Sequence, residues 1–196
     1  FLTTGVYDKN REFFTTISPS MDILISSNLE RLLFDICGND AKRVSGLMNK
    51  LDKDGKYNLI KTMHKKVTNL FWGGYCDDYF TKERIWKTFE ETGYTLDTHT
   101  AVAVDVYEQY VKETGDTTKT VIASTASPYK FGDTVLSALG TDNVGDDFEI
   151  IEKLNQKSGM EVPSSLISLK GKEPRFKDVI EKTDMVKTVK DFLGIK

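Results

Sequence analysis

The clearest β-strand in this chain is Lys119–Ser124, and one or two convincing strands are too few to build a sheet. Its Val121-Ile122-Ala123 centre is the short apolar run expected of a strand buried on both faces. The turn Thr125-Ala126-Ser127-Pro128 follows at once, and then a helix carrying Val135, Leu136 and Leu139. Either the chain is all-helical with one odd strand, or the rest of its sheet belongs to other polypeptide.

Helical punctuation dominates elsewhere. Ser27-Asn28-Leu29-Glu30 fits a capping box, followed by Leu29, Leu32, Leu33 and Ile36 at helical spacing and by Gly38 as a stop. A second helix is expected over about 42–51, with Val44, Leu47, Met48 and Leu51 on one face. A third starts at Thr81 and ends before Gly93, burying Ile85, Trp86 and Phe89. A fourth covers about 100–113, with Ala103, Val106, Tyr107 and Tyr110, and stops at Gly115. The tail reads as further short helices, the last from about Asp184 to Leu193 with Gly194 behind it.

Charge argues against two partner classes. With 27 basic and 30 acidic residues interspersed, a net charge of -3 gives no electrostatic reason to expect nucleic acid or an anionic membrane. No apolar run approaches the roughly 20 residues that span a bilayer, and the first residues show no leader pattern. Cys37 and Cys76 fit free thiols in a reducing, cytoplasmic setting better than a disulfide. The chain opens on Phe1 in mid-pattern, as if cut from something longer.

Several candidate sites reduce to bland readings. Asp52-Lys53-Asp54-Gly55 begins like a calcium loop, but Met63 stands where the bidentate glutamate belongs, so a solvated turn is expected. His64 and His99 share no metal-ligand spacing with each other or with the cysteines. His64 is read as a surface residue of a basic helix, and His99 as part of a helix start, Asp97-Thr98-His99-Thr100, capped by its acidic residue and hydroxyls. The hydroxyls of Ser124, Thr125 and Ser127, with Lys130, lie just past a strand end, where open α/β sheets place ligands; they serve equally well as helix caps. Ile17-Ser18-Pro19-Ser20-Met21-Asp22-Ile23 is a polar loop that leads into the first helix.

Three of these segments together resemble a known family. Ile17-Ser18-Pro19-Ser20-Met21-Asp22-Ile23 with Ser26-Ser27-Asn28-Leu29-Glu30-Arg31-Leu32 is similar to the stretch after the phosphate-binding loop of threonine synthases. Asp97-Thr98-His99-Thr100-Ala101-Val102 resembles their Asp-Pro-His-Thr-Ala-Val element. Thr125-Ala126-Ser127-Pro128-Tyr129-Lys130-Phe131 resembles their Thr-Ala-His-Pro-x-Lys-Phe element. The order matches, and the resemblance runs to about Leu139.

The resemblance implies a helix-rich α/β fold: the C-terminal part of a tryptophan-synthase-β-like, fold-type-II pyridoxal-phosphate enzyme with an inserted helical subdomain. Residues 1–34 and 95–196 would belong to the cofactor domain and residues 35–94 to the insertion. The family converts O-phospho-L-homoserine and water into L-threonine and phosphate with pyridoxal 5'-phosphate. By the same matching Thr125 meets the pyridine nitrogen, Asp97 and His99 lie near the ring, Ser18 and Asp22 near the substrate, and Ser127 stands where many members have histidine. Thr98 likewise replaces the usual proline, and both changes read as differences in packing around the cofactor.

The cofactor-bearing lysine and glycine-rich phosphate loop of the family have no counterpart in this chain. Lys130 matches a structural lysine instead. The chain alone is therefore expected to be inactive and to need the N-terminal portion of the same protein. The alternatives are another fold-type-II enzyme such as a dehydratase, a helical interaction module, or a threonine-synthase-like protein without the chemistry.

Overall fold

A computed structural model of the chain describes residues 1–142 and 144–195. These fall into two compact units, residues 1–161 and 162–196.

The first unit begins with a small ribbon and three helices. Strand β1 (Val6–Asp8) pairs antiparallel with β2 (Lys56–Asn58), placing Tyr7 opposite Tyr57, whose rings stack 5.4 Å apart. Between and after the strands come α1 (Ser27–Ile36), α2 (Ala41–Asp54) and α3 (Lys61–Leu70). Leu33, Ile36, Val44, Leu51, Tyr57, Met63 and Val67 form their common core. The apolar positions of α1 and α2 at 3–4-residue spacing therefore converge as expected. Helix α1 crosses the anticipated domain limit at residue 34, with Leu33 and Ile36 in the same core.

Helices α4 (Asp78–Thr92), α5 (Thr98–Thr114), α6 (Gly132–Ala138) and α7 (Asp147–Ser158) complete the unit. Helix α4 packs on α5 and α6, and α6 on α7, burying Ile85, Leu136 and Leu154. Arg84 of α4 ties the pair to α5 by ion pairs with Asp105, at 3.6 Å, and Glu108. In the second unit, α8 (Ser164–Ile167) and α9 (Met185–Leu193) are short, and the Phe176 and Phe192 rings meet edge-on at 6.2 Å.

Several expectations need correction. The segment Lys119–Ser124 is not a strand: it forms no ladder with any described residue, and Val121 is 90% exposed. A strand requires a hydrogen-bonded neighbour, and apolar composition alone does not supply one. Ser27 is the first residue of α1, not its cap. Neither it nor Ser26, at the capping position, accepts a capping bond, so the Ser27–Glu30 box does not form. A capping box does form at α7, between Asp146 and Glu149. Trp86 is half exposed, because only the Ile85 side of α4 faces its neighbours. His64 is partly buried, with Nε2 2.6 Å from the Leu2 carbonyl. Asp52 and Asp54 end α2, and Gly55 closes it in the left-handed conformation, φ 74°. Cys37 and Cys76 are free thiols.

Candidate functional site

The candidate site grows from the first turn of α5. A helix start leaves its first amides without partners, and the Asp97 carboxylate supplies them. The His99 and Thr100 amides donate to its Oδ1 over 2.9 and 3.2 Å, and the Thr100 hydroxyl donates to Oδ2. Asp97 is only 1% exposed. The cap expected from sequence is thus formed, in a buried setting where it is strongly constrained.

After Gly115 the chain turns back along α5. Seventeen residues of helix rise about 25 Å, and the extended stretch from Asp116 to Ser124 spans about 27 Å. The return leg therefore ends beside the helix start. Helix α5 holds it at both ends. The Tyr110 hydroxyl donates to Asp116 over 2.6 Å, and the Thr118 amide donates to the same carboxylate over 2.9 Å. These bonds hold the Asp116 carboxyl down at a pKa of about 2. At the far end Thr100 Oγ1 lies 3.0 Å from Ser124 Oγ, which is itself 3.5 Å from Asp97 Oδ2. Thr125, the next residue, is exposed.

Beyond it, Pro128–Phe131 forms a 3-10 turn leading into α6. The Ser127 hydroxyl caps this turn, accepting the Tyr129 amide over 3.3 Å. Phe131 meets the His99 ring edge-on, 4.7 Å between centres at 67°. His99 is 7% exposed, and neither ring nitrogen has a described hydrogen-bond partner. Burial pushes its pKa below the ordinary value; Asp97 pulls the other way, Lys130 adds to the depression, and Asp22 opposes it.

The loop 15–23 closes against the same turn. Lys130 Nζ donates to Ser20 Oγ over 3.1 Å, across 110 residues of sequence. The Asp22 carboxylate accepts the Thr16 amide and hydroxyl over 2.6 and 2.8 Å, and the Ile17 amide donates to Asp78 at the head of α4 over 3.1 Å. Ser18 is buried, with its hydroxyl unpartnered among the described residues.

The three segments singled out in the sequence, 17–23, 97–102 and 125–131, thus meet. Direct contacts join Asp97 and Thr100 to Ser124, His99 to Phe131, and Lys130 to Ser20. Asp22 is near enough to act on His99 electrostatically, whereas Ser127 is engaged as a cap. Sequence reasoning missed the joining roles of Thr100, Ser124 and Ser20. The three-residue step from Asp97 to Thr100 was the available signal for the first.

Comparison with known proteins adds independent findings. A family model described as "Threonine synthase, C-terminal" matches residues 100–192. Threonine synthase of Saccharomyces cerevisiae is 34% identical over 174 residues, covering 81% of this chain and 34% of the yeast protein. Human threonine synthase-like 1 is 33% identical over 147 residues, 74% of this chain and 19% of that protein. The crystal structure of pyridoxal-phosphate-bound threonine synthase from Brucella melitensis superposes with a TM-score of 0.77 at 30% identity. That match covers 98% of this chain and 36% of the Brucella chain. The chain therefore spans about a third or less of the length of these relatives.

The fold is that of the C-terminal part of a fold-type-II pyridoxal-phosphate enzyme. Helices make up its recognisable body, and the sheet of the class is not formed among the described residues. The chain belongs to the threonine synthase family, in register with the C-terminal portion of its members.

Proposed function

We propose that this chain is the C-terminal portion of a threonine synthase that converts O-phospho-L-homoserine and water into L-threonine and phosphate. The observation that carries the reading is the convergence of loop 16–22, the α5 start and the 124–131 turn in one corner of the first unit. Residues 35–94 would be the inserted helical subdomain, and the flanking residues 1–34 and 95–196 would belong to the cofactor domain.

The residues present fit pyridoxal phosphate. Ser18 Oγ, Thr98 Oγ1 and both His99 ring nitrogens are buried without described partners, and Thr125, the residue after the tethered Ser124, is exposed. Unpaired buried polar atoms are rare in finished sites and fit a surface completed by further groups. When bound, the cofactor supplies an electron sink for carbon acids. Thr125 would hold the pyridine nitrogen with a neutral hydroxyl, which does not force that nitrogen to carry a proton as a carboxylate would. Asp97 and His99 would border the ring side, and Ser18 and Asp22 the substrate side. Ser127, already capping a turn, would shape the pocket without moving protons.

The lysine and glycine-rich loop that hold the cofactor in the family have no match here, so this chain by itself would be inactive. Incubation with pyridoxal phosphate and borohydride, followed by intact-mass analysis, should show no stoichiometric adduct. A stable adduct on Lys130 would overturn that statement. In the parent enzyme, Thr125→Val should lower phosphate release from O-phospho-L-homoserine by about 10-fold, the loss of one hydrogen bond of about 1.5 kcal/mol. Unchanged turnover would remove Thr125 from the site.

A further inference from the structure

We propose that Asp97, Thr100 and Ser124 form a positioning brace that fixes Thr125 relative to the start of α5. The inference rests on the assignment of Thr125 made above and extends it to Thr100 and Ser124, which act on Thr125 by holding its neighbour in place. Three facts carry it. Asp97 is buried and its carboxylate holds two α5 amides and the Thr100 hydroxyl, so its position is set by the helix itself. Ser124 Oγ reaches both Thr100 Oγ1, at 3.0 Å, and Asp97 Oδ2, at 3.5 Å. The stretch from Lys119 to Ser124 makes no ladder with described residues, so few other bonds restrain its end.

Proton count makes the brace directional. Thr100 has one hydroxyl proton and cannot give it to both neighbours. The carboxylate is the stronger acceptor, so that proton goes to Asp97. The Thr100 oxygen is then free to accept the Ser124 proton. The order Ser124 to Thr100 to Asp97 ends on a fixed negative charge, and each donation strengthens the next. Thr125 follows Ser124 directly, so a held Ser124 leaves its hydroxyl a small range of positions. Asp116, clamped by Tyr110 at the other end of the return leg, completes the restraint from the same helix.

The test uses backbone 15N relaxation of the 196-residue chain. Order parameters at 124 and 125 should match the rigid range of about 0.85, and Ser124→Ala should drop both below about 0.6. Ser124→Thr, which keeps the hydroxyl, should restore them. Thr100→Val, which removes the same bond from the helix side, should reproduce the loss at 124–125. A merely structural role would lower the melting temperature or α5 order instead, and both should hold in Ser124→Ala. Unchanged order at 124–125 in either deletion variant overturns the brace. A second measurement separates this inference from the reading beneath it. In the parent enzyme loaded with 15N-pyridoxal phosphate, Thr125→Val should shift the ring-nitrogen resonance and Ser124→Ala should broaden or shift it. No response to Thr125→Val sinks the cofactor assignment; a response to Thr125→Val but none to Ser124→Ala sinks the brace alone.

Discussion

At the scale of single residues, Asp97 bears the most. Its carboxylate caps α5 and receives a hydroxyl while almost wholly buried. Asp97→Ala removes a cap worth about 1 kcal/mol and strands the polar groups around it, for a combined loss of about 3 kcal/mol by urea denaturation. His99 gives a pH signature. Burial lowers its folded pKa beneath the value of about 6.5 in an unfolded chain. The folded state therefore prefers the neutral ring: this contribution is complete above about pH 6.5 and falls away as acid is added. The stability of His99→Leu should change less between pH 8 and pH 5 than that of the parent sequence, measured by denaturation at each pH. The role of Asp97 as a cap was legible because acidic residue, hydroxyls and helical pattern lie within four positions. The links from Thr100 to Ser124 and from Lys130 to Ser20 were not, since they join residues 24 and 110 positions apart and leave no local trace.

At the scale of elements, periodicity found the helices wherever an apolar stripe repeats. Leu33, Ile36, Val44 and Leu51 all reach the core that their spacing announced. Leu33→Ala should cost about 3 kcal/mol through the cavity it leaves, whereas Val121→Ala, on an open surface, should stay within about 0.5 kcal/mol. Chemical denaturation of both variants checks the contrast. The same apolar logic misread Lys119–Ser124, because β structure is a property of pairs of segments and one segment carries half the information. Gly55 marks where an element must end. It closes α2 at φ 74°, and a Cβ there would collide with the Asn10 side chain. Gly55→Ala should therefore lose about 1 kcal/mol or more and perturb the Tyr7–Tyr57 stacking, visible in near-ultraviolet circular dichroism.

At the scale of the whole molecule, the division into residues 1–161 and 162–196 did not show in composition, which changes little along the chain. It arises from packing. Among the described residues, all the fully buried side chains lie in the first unit, while nearly every residue from 168 to 195 is exposed. Lys170, Lys172, Arg175 and Lys177 are exposed and outside any helix. Brief trypsin treatment should cut there first and leave a fragment extending from Phe1 past Glu161, identifiable by mass. The backbone between Lys119 and Ser124 has a different consequence for assembly. Polypeptide laid alongside it must choose an offset, and side chains alternate faces with a period of two. A mate displaced by one residue would turn its own opposite face toward Val121 and Ile122, while Ser124 stays tied to the start of α5.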